Sequence, residues 1–242
     1  TRVTRNQPPV AGQDATDHDT MHPGLWLGFG DISGVDFWRN RGRIEHVRFV
    51  ESPAVHDSVL GFATESRLLG PDGNALGVMT NRFRILPGEG SWEATLVPTG
   101  DRLVLGDQEE MGFAARVATP LTEKAGGRIL SSTGRVTAKE TWGQSADWCD
   151  YARVADGRST GILLMADPSN FRPSWWHNRD YGVFVANPFG REAMKQGAKS
   201  AVGVDPGSPL RLRFGAVLHS GPAETPFDPA AAFLRFRNRS TP

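Results

Sequence analysis

The stretch that decides the fold is Val59-Leu-Gly-Phe-Ala-Thr-Glu-Ser-Arg-Leu-Leu69, followed by Gly70-Pro-Asp-Gly73 and then by Gly77-Val-Met-Thr-Asn-Arg-Phe-Arg-Ile-Leu86. The central segment is a strong turn signal, because proline fixes φ and glycine tolerates positive φ. The segments on either side have the length and composition of β-strands. Together the three segments predict a β-hairpin.

Further strand candidates lie on both sides of this hairpin. They are Ile44–Val50, Trp92–Val97, Arg102–Leu105, Met111–Thr119, Gly161–Ala166 and Arg211–His219. The polar segment Gly127–Lys139 resembles another hairpin, and only Pro229–Phe236 has a helical pattern. Many short strands separated by turns, with few short helices, predict an all-β fold that is an antiparallel β-sandwich or a barrel, and we favour the antiparallel β-sandwich. We expect a single domain over residues 1–242, with residues 1–20 as an extended N-terminal arm.

Composition excludes several classes of partner. The chain has 242 residues with 27 Lys and Arg against 27 Asp and Glu, so its zero net charge gives no reason to expect nucleic acid binding. No apolar stretch is long enough to span a bilayer, so we expect no membrane partner. The single cysteine, Cys149, cannot form an intramolecular disulfide, and no signal segment follows Thr1. A cytoplasmic location is therefore the expectation.

The stretch Trp175–Asn187 holds the densest group of polar and aromatic side chains. Its first half is expected to be a loop that leads into a buried strand, Val183–Ala186. His177 and Asp180 form a candidate acid–base pair in which Asp180 orients His177. Arg179 is a candidate clamp for an oxygen of the substrate, although an ion pair with the adjacent Asp180 explains it equally simply.

Two other segments add carboxylates and aromatic rings. Gly106–Gly112 places Asp107, Glu109 and Glu110 between two strands, as a solvated turn or as the source of a general base. In Glu140–Tyr151, aromatic rings alternate with acids, which is typical of a sugar site because a ring stacks on the apolar face of a pyranose. Packing of these tryptophans in the core is the alternative.

A metal site is a further possibility near the start of the chain. His18 and His22 are four residues apart, but Pro23 and Gly24 argue against the helix that would place them on one face. His22 could still join His177 and an acid around a divalent metal, since zinc accepts nitrogen and carboxylate oxygen. Hydrated loop histidines are the simpler interpretation.

Several runs of this sequence resemble the DUF6807 ("PmoA-like") family. They are Met21–Trp38, Gly106–Gly112, Ala146–Tyr151, Trp176–Gly182 and Ala186–Gly190. Members carry a His-His-Arg-Gly-Leu-Trp run and then His-Gly-Asp, and of those polar positions only His22 and Asp31 carry over. The positions of His177, Arg179 and Asp180 match. The resemblance implies an association with sugar degradation, and the all-β pattern is similar to galactose-mutarotase-like sandwiches.

We therefore expect a carbohydrate-active protein, with a small-molecule sugar or oxidised sugar as its ligand and a lyase, hydrolase or epimerase activity. A non-catalytic sugar-binding module and a metal-dependent oxygenase are the alternatives. The expected catalytic residues are His22, His177, Asp180 and Glu110. The expected substrate-binding residues are Trp26, Asp31, Trp142, Asp147, Trp148, Trp176, Arg179 and Tyr181. No cofactor is required by the sequence, and a divalent metal is compatible with it.

Overall fold

The hairpin predicted from the sequence is present in a computed structural model, which describes residues 24–239. Its strands are β3 (Val59–Leu69) and β4 (Ala75–Leu86), which pair antiparallel. The backbone N–H of Gly73 donates to the carbonyl of Gly70 (3.0 Å) and closes the turn. A positive φ of 83° at Gly73 explains why glycine stands there.

The described part of the chain is built from strands with few helices. The strands are β1 (Gly24–Phe29), β2 (Arg43–His56), β3 (Val59–Leu69), β4 (Ala75–Leu86), β5 (Glu89–Pro98), β6 (Leu103–Leu105), β7 (Met111–Arg116), β8 (Arg128–Ser131), β9 (Trp148–Ala155), β10 (Arg158–Ala166), β11 (Trp175–Asn178), β12 (Val183–Asn187), β13 (Val202–Val204) and β14 (Leu210–Pro222). The α-helices are α1 (Thr137–Thr141) and α2 (Pro229–Asn238), and short 3-10 helices span Thr119–Leu121 and Glu123–Ala125.

The strands form two large antiparallel sheets that face each other. The smaller sheet has the order β1-β7-β12-β11, and the larger has the order β2-β3-β4-β5-β14-β10-β9-β8. A third pair, β13 with β6, lies beside them. The prediction of an all-β antiparallel sandwich is therefore confirmed.

Apolar side chains from both sheets fill the space between them. Phe113 of the smaller sheet stacks on Phe214 of the larger one, with ring centroids 5.2 Å apart. Phe29, Phe184 and Trp176 belong to the same buried cluster. Because side chains alternate along a strand, the neighbours of these residues point to the opposite face of the smaller sheet.

The far face of the larger sheet is covered by α2. Phe233 and Phe236 of this helix pack with Leu163 and Met165 of β10. Asp228 caps the helix, since its carboxylate accepts a hydrogen bond from the N–H of Ala231 (3.0 Å). The predicted helix is thus confirmed, and no helix among residues 24–239 has the length and apolarity needed to cross a membrane.

One local prediction holds only in part, and another was wrong. Gly127–Lys139 does turn back on itself, since Leu130 pairs antiparallel with Val136 and the N–H of Ser131 donates to the carbonyl of Arg135 (2.9 Å). The returning arm does not continue as a strand, because α1 begins at Thr137 and its Ala138 N–H donates to the Glu123 carboxylate (2.7 Å). The Trp175–Asn178 segment is not a loop, because it pairs along β12 as strand β11. The predicted arm over residues 1–20 lies outside the described residues, as does His22.

Candidate functional site

The outer face of the smaller sheet is the floor of a cavity that charged and aromatic side chains line. Ala114 of β7 packs there with Val183 and Val185 of β12, and with the rings of Trp26 and Tyr181. Over this floor lies a cavity of about 830 Å³. Such a volume is typical of sites that take a small organic ligand.

Loops at the ends of the strands supply the polar lining of this cavity. Arg39 and Asn40 come from the connection after β1, Glu109 and Glu110 from the connection before β7, and Arg179, Asp180 and Tyr181 from the β11–β12 turn. The buried guanidinium of Arg116 adds a cation from β7, 5.4 Å from the Tyr181 ring centroid. Trp38 lies beside Trp26, with ring centroids 5.7 Å apart. The cavity therefore combines aromatic faces with charges of both signs.

His177 reaches the cavity from the edge strand β11. Alternation sends Trp176 into the core, where its Nε1–H donates to the carbonyl of Ala146 (2.9 Å), and sends His177 to the opposite face. The imidazole Nδ1 lies 3.3 Å from Oε2 of Glu109. That distance fits an ion pair, but burial and the charge of Arg179 lower the pKa of His177 to about 3, so the ring is neutral near pH 7. The contact also lacks hydrogen-bond geometry, which leaves Nδ1 buried and unpartnered among the described residues.

Glu109 is the carboxylate at the centre of the cavity's charges. Its Oε2 accepts a hydrogen bond from Nη2 of Arg179 (2.9 Å) and also faces His177. Burial raises the pKa of Glu109 and Glu110 adds to the rise, whereas Arg179 and Lys195 oppose it. A carboxyl group with a raised pKa beside a buried neutral imidazole is an arrangement suited to general acid–base chemistry.

The three acids of Gly106–Gly112 have separate roles. Asp107 is structural, since its carboxylate accepts hydrogen bonds from the backbone N–H groups of Glu192, Ala193 and Ser200. Glu110 lies at the rim, 3.5 Å from Nη2 of Arg39. Only Glu109 contacts both His177 and Arg179, so the geometry favours it over Glu110 as the acid–base group.

Asp180 does not orient His177, contrary to the sequence-based prediction. Its carboxylate is half-exposed and lies 3.9 Å from Nζ of Lys124. The alternative prediction of an Arg179–Asp180 ion pair is also not what the structure shows, because Arg179 pairs with Glu109. Arg179 and Asp180 therefore each pair with a group from another part of the chain.

The comparisons with known proteins identify a family. Residues 1–230 match the model of a family of unknown function, DUF6807. The chain belongs to the DUF6807 family. A search of curated proteins found no match.

The solved structures that match this DUF6807 chain are distant from it. Slr1438 from Synechocystis sp. PCC 6803 is 12% identical with a TM-score of 0.40, over 85% of this chain and 80% of that one. A GH36 α-galactosidase from Geobacillus stearothermophilus, solved in complex with raffinose, is 13% identical with a TM-score of 0.39, over 75% of this chain. The match spans only 27% of the α-galactosidase chain. The galactose-mutarotase-like arrangement stays a prediction.

The structure brings together about half of the site residues expected from the sequence. Trp26, Glu110, His177, Arg179, Asp180 and Tyr181 line the cavity. Trp142 lies in an adjoining depression that shares Arg179 and Asp180 with it. His22 is outside the described residues. The cavity is therefore built from the two ends of the smaller sheet rather than from all the aromatic segments.

Four expected substrate-binding residues line neither the cavity nor the adjoining depression of this DUF6807 chain. Trp176 is fully buried in the core, and Trp148 packs with α2 on the far face of the larger sheet. Asp147 is exposed, and its backbone N–H donates to Oγ of Ser132 (2.9 Å). Asp31 accepts a hydrogen bond from the N–H of Gly34 (2.8 Å) and so stabilises a turn.

Sequence reasoning missed Trp38, Arg39 and Arg116 as lining residues. Arg116 could have been found from the sequence, because it is a charged residue directly after the apolar run Met111–Ala115. Burial of a cation is costly, so a charge at the end of a buried strand indicates a site. Within residues 24–239, no group of three His, Cys, Asp or Glu side chains is placed to hold a metal ion.

Proposed function

We propose that this protein acts on a sugar or an oxidised sugar in the cavity on the smaller sheet, by proton transfer at Glu109. One observation supports this proposal above the others. The Glu109 carboxylate, which has a raised pKa, lies 3.3 Å from the neutral His177 inside an aromatic-lined cavity. A binding module needs the aromatic rings but has no use for such a pair.

The lining suits a sugar ring. The faces of Trp26, Trp38 and Tyr181 offer surfaces on which the C–H face of a pyranose stacks. The guanidinium of Arg39 and the amide of Asn40 at the rim supply hydrogen-bond donors for hydroxyl groups. A cavity of about 830 Å³ has room for one sugar ring together with part of what is attached to it.

Glu109 and Arg179 have different roles in the proposed reaction. Arg179 holds Oε2 of Glu109 in place by a 2.9 Å hydrogen bond, which fixes the direction in which the carboxylate points. Burial brings the pKa of Glu109 closer to neutral pH, so the group can accept a proton from the substrate and return it. A lyase, a hydrolase and an epimerase each require such a transfer, and the proposal covers these three reaction classes.

His177 acts beside Glu109 as a neutral partner. At neutral pH its imidazole carries one N–H and one lone pair, so it can hold a substrate hydroxyl without adding charge. The unpartnered Nδ1 faces Oε2 of Glu109, the oxygen that also accepts the hydrogen bond from Arg179. Removal of His177 should therefore reduce turnover while the sandwich remains folded.

The test compares Glu109→Gln with Glu110→Gln in turnover assays on a panel of glycosides and oxidised glycosides. We expect Glu109→Gln to lower kcat by about 10²- to 10⁴-fold, the usual contribution of general acid–base catalysis. Glu110→Gln, the matched control at the rim, should keep kcat within about threefold, since a group paired only at the surface contributes little. Circular dichroism verifies that both variants are folded.

Calorimetric titration of the same panel separates the enzyme from a sugar-binding module. Binding without turnover, weakened by Trp26→Ala and unaffected by Glu109→Gln, would replace the proposed enzyme with a module. An equal loss of kcat in Glu109→Gln and Glu110→Gln would refute the assignment of proton transfer to Glu109.

A further inference from the structure

A second depression adjoins the cavity on the other side of the β11–β12 turn. It has a volume of about 440 Å³, and its lining includes Trp142, Lys139 and Asn178. Arg179 and Asp180 line both the cavity and the depression, so the β11–β12 turn that carries them separates the two. This position makes the depression an extension of the proposed sugar site.

The edge strand β11 supplies one polar side chain to the cavity and one to the depression. His177 points to the outer face of the smaller sheet and lines the cavity, whereas Asn178 points to the opposite face and lines the depression. Asn178 is almost fully buried, and its Nδ2–H donates to Oγ1 of Thr141 (2.8 Å). Its Oδ1 has no hydrogen-bond partner among the described residues. A buried acceptor in this state gains from any ligand that brings a donor.

Trp142 adds the complementary group. Its Nε1–H is buried without a hydrogen-bond partner in the described part of the chain, while its side chain as a whole is partly exposed. The residues that form the walls of the depression thus contain one unused acceptor, one unused donor and an aromatic ring. A sugar hydroxyl both donates and accepts a hydrogen bond, and a sugar ring has an apolar face, so a sugar satisfies all three.

Charges link the depression to the chemistry in the cavity. The Lys195 ammonium lies 5.7 Å and the Arg179 guanidinium 6.0 Å from the centroid of the Trp142 ring. The same two cations act on Glu109, because both lower its pKa against the effect of burial. A ligand group that lies on Trp142 is therefore close to the charges that surround the proposed acid–base group.

We infer that the Trp142 depression is a second sugar subsite, and that the natural substrate is a glycoside of at least two sugar units that crosses the Arg179–Asp180 turn. This inference rests on the proposed function. One unit occupies the cavity beside Glu109, and the next unit lies on Trp142 with a hydroxyl between Nε1 of Trp142 and Oδ1 of Asn178.

The experiment is calorimetric titration with matched pairs of probes: methyl β-glucoside with cellobiose, methyl β-galactoside with lactose, and methyl α-glucoside with maltose. For the pair that fits, the disaccharide should bind about tenfold more tightly than the methyl glycoside, as one ring contact and one or two hydrogen bonds provide. Trp142→Ala should remove this advantage and leave methyl glycoside binding within about twofold of wild type, because only the second unit contacts the ring.

Two further variants test the hydrogen bond from Trp142 and provide a matched control. Trp142→Phe retains a ring but removes the Nε1–H donor, so it should lose about threefold in disaccharide affinity alone. Trp175→Ala is the matched control, because Trp175 is a half-buried tryptophan of β11 that lines neither hollow. It should leave the ratio of the two affinities unchanged.

The outcomes distinguish the subsite from the proposed function. If methyl glycosides bind and disaccharides bind no better, or if Trp142→Ala weakens both probes equally, the second subsite is refuted and the proposed function stands. If no sugar of any pair binds and no oxidised glycoside of the turnover panel binds either, the proposed function fails and the subsite fails with it.

Discussion

Replacement of His177 by Asn should remove a specific dependence of stability on pH. In the folded protein, burial and Arg179 lower the pKa of His177 to about 3. In the unfolded chain a histidine titrates near pH 6.5. Between these values the unfolded chain binds a proton that the folded protein does not, so the free energy of unfolding falls as the pH decreases.

The magnitude follows from the unfolded pKa. At pH 8 the histidine is neutral in both states and costs nothing. At pH 5 protonation favours the unfolded chain by about 2 kcal/mol, because each pH unit below 6.5 contributes about 1.4 kcal/mol once the group is fully protonated. Because the pKa of His177 in the folded protein is about 3, protonation of the folded protein at pH 5 offsets almost none of this loss of stability. The value holds for any folded pKa well below 5.

The assay is urea unfolding at pH 8 and at pH 5, monitored by tryptophan fluorescence. Wild type should lose about 2 kcal/mol more than His177→Asn between the two pH values, since asparagine does not titrate. His56→Asn makes the same change at an exposed histidine of β2 and is the matched control. If His177→Asn and His56→Asn alter the pH dependence equally, His177 is not held neutral by its surroundings and its proposed role is refuted.

Two more predictions test the packing around the site. Gly112→Ala should destabilise the fold by at least about 2 kcal/mol, because φ is +113° and the new Cβ would lie 2.2 Å from the carbonyl oxygen of Ala186. Gly134→Ala, also at positive φ but in open space, is its control in thermal melts and should cost clearly less. Trp176→Ala should cost about 3–5 kcal/mol in chemical unfolding, since the ring is fully buried, whereas Trp26→Ala should mainly weaken sugar binding. Equal destabilisation within either pair would contradict the packing described here.

The sheet architecture could be predicted because its signals are local. The β3–β4 hairpin follows from a turn motif between two strand-like segments, and α2 follows from the helical pattern of Pro229–Phe236. The segment Gly127–Lys139 was predicted only in part, for the opposite reason. Its helix begins where a carboxylate from a distant loop accepts an N–H, and such a partner leaves no trace in the local pattern.

The site could be predicted only in part, because closeness in sequence differs from closeness in space. His177, Arg179 and Tyr181 were expected and do line the cavity. Trp176 was expected beside His177, but consecutive residues of a strand face opposite sides. Glu109 and not Glu110 is the acid–base candidate because it is the carboxylate that contacts His177 and Arg179. Those contacts depend on how the strands of the sheet pack, which the local sequence does not show.

The alternation along β11 makes the length of this strand a stricter constraint than its composition. One inserted or deleted residue between Ser174 and Arg179 would exchange the two sides, so that the imidazole would face the depression and the amide would face the cavity. Substitutions at Trp175 leave that register intact. Mutant libraries of this protein should therefore vary the residue types along β11 and keep the number of residues fixed. A shift of the strand by one residue would change the lining of both the cavity and the depression.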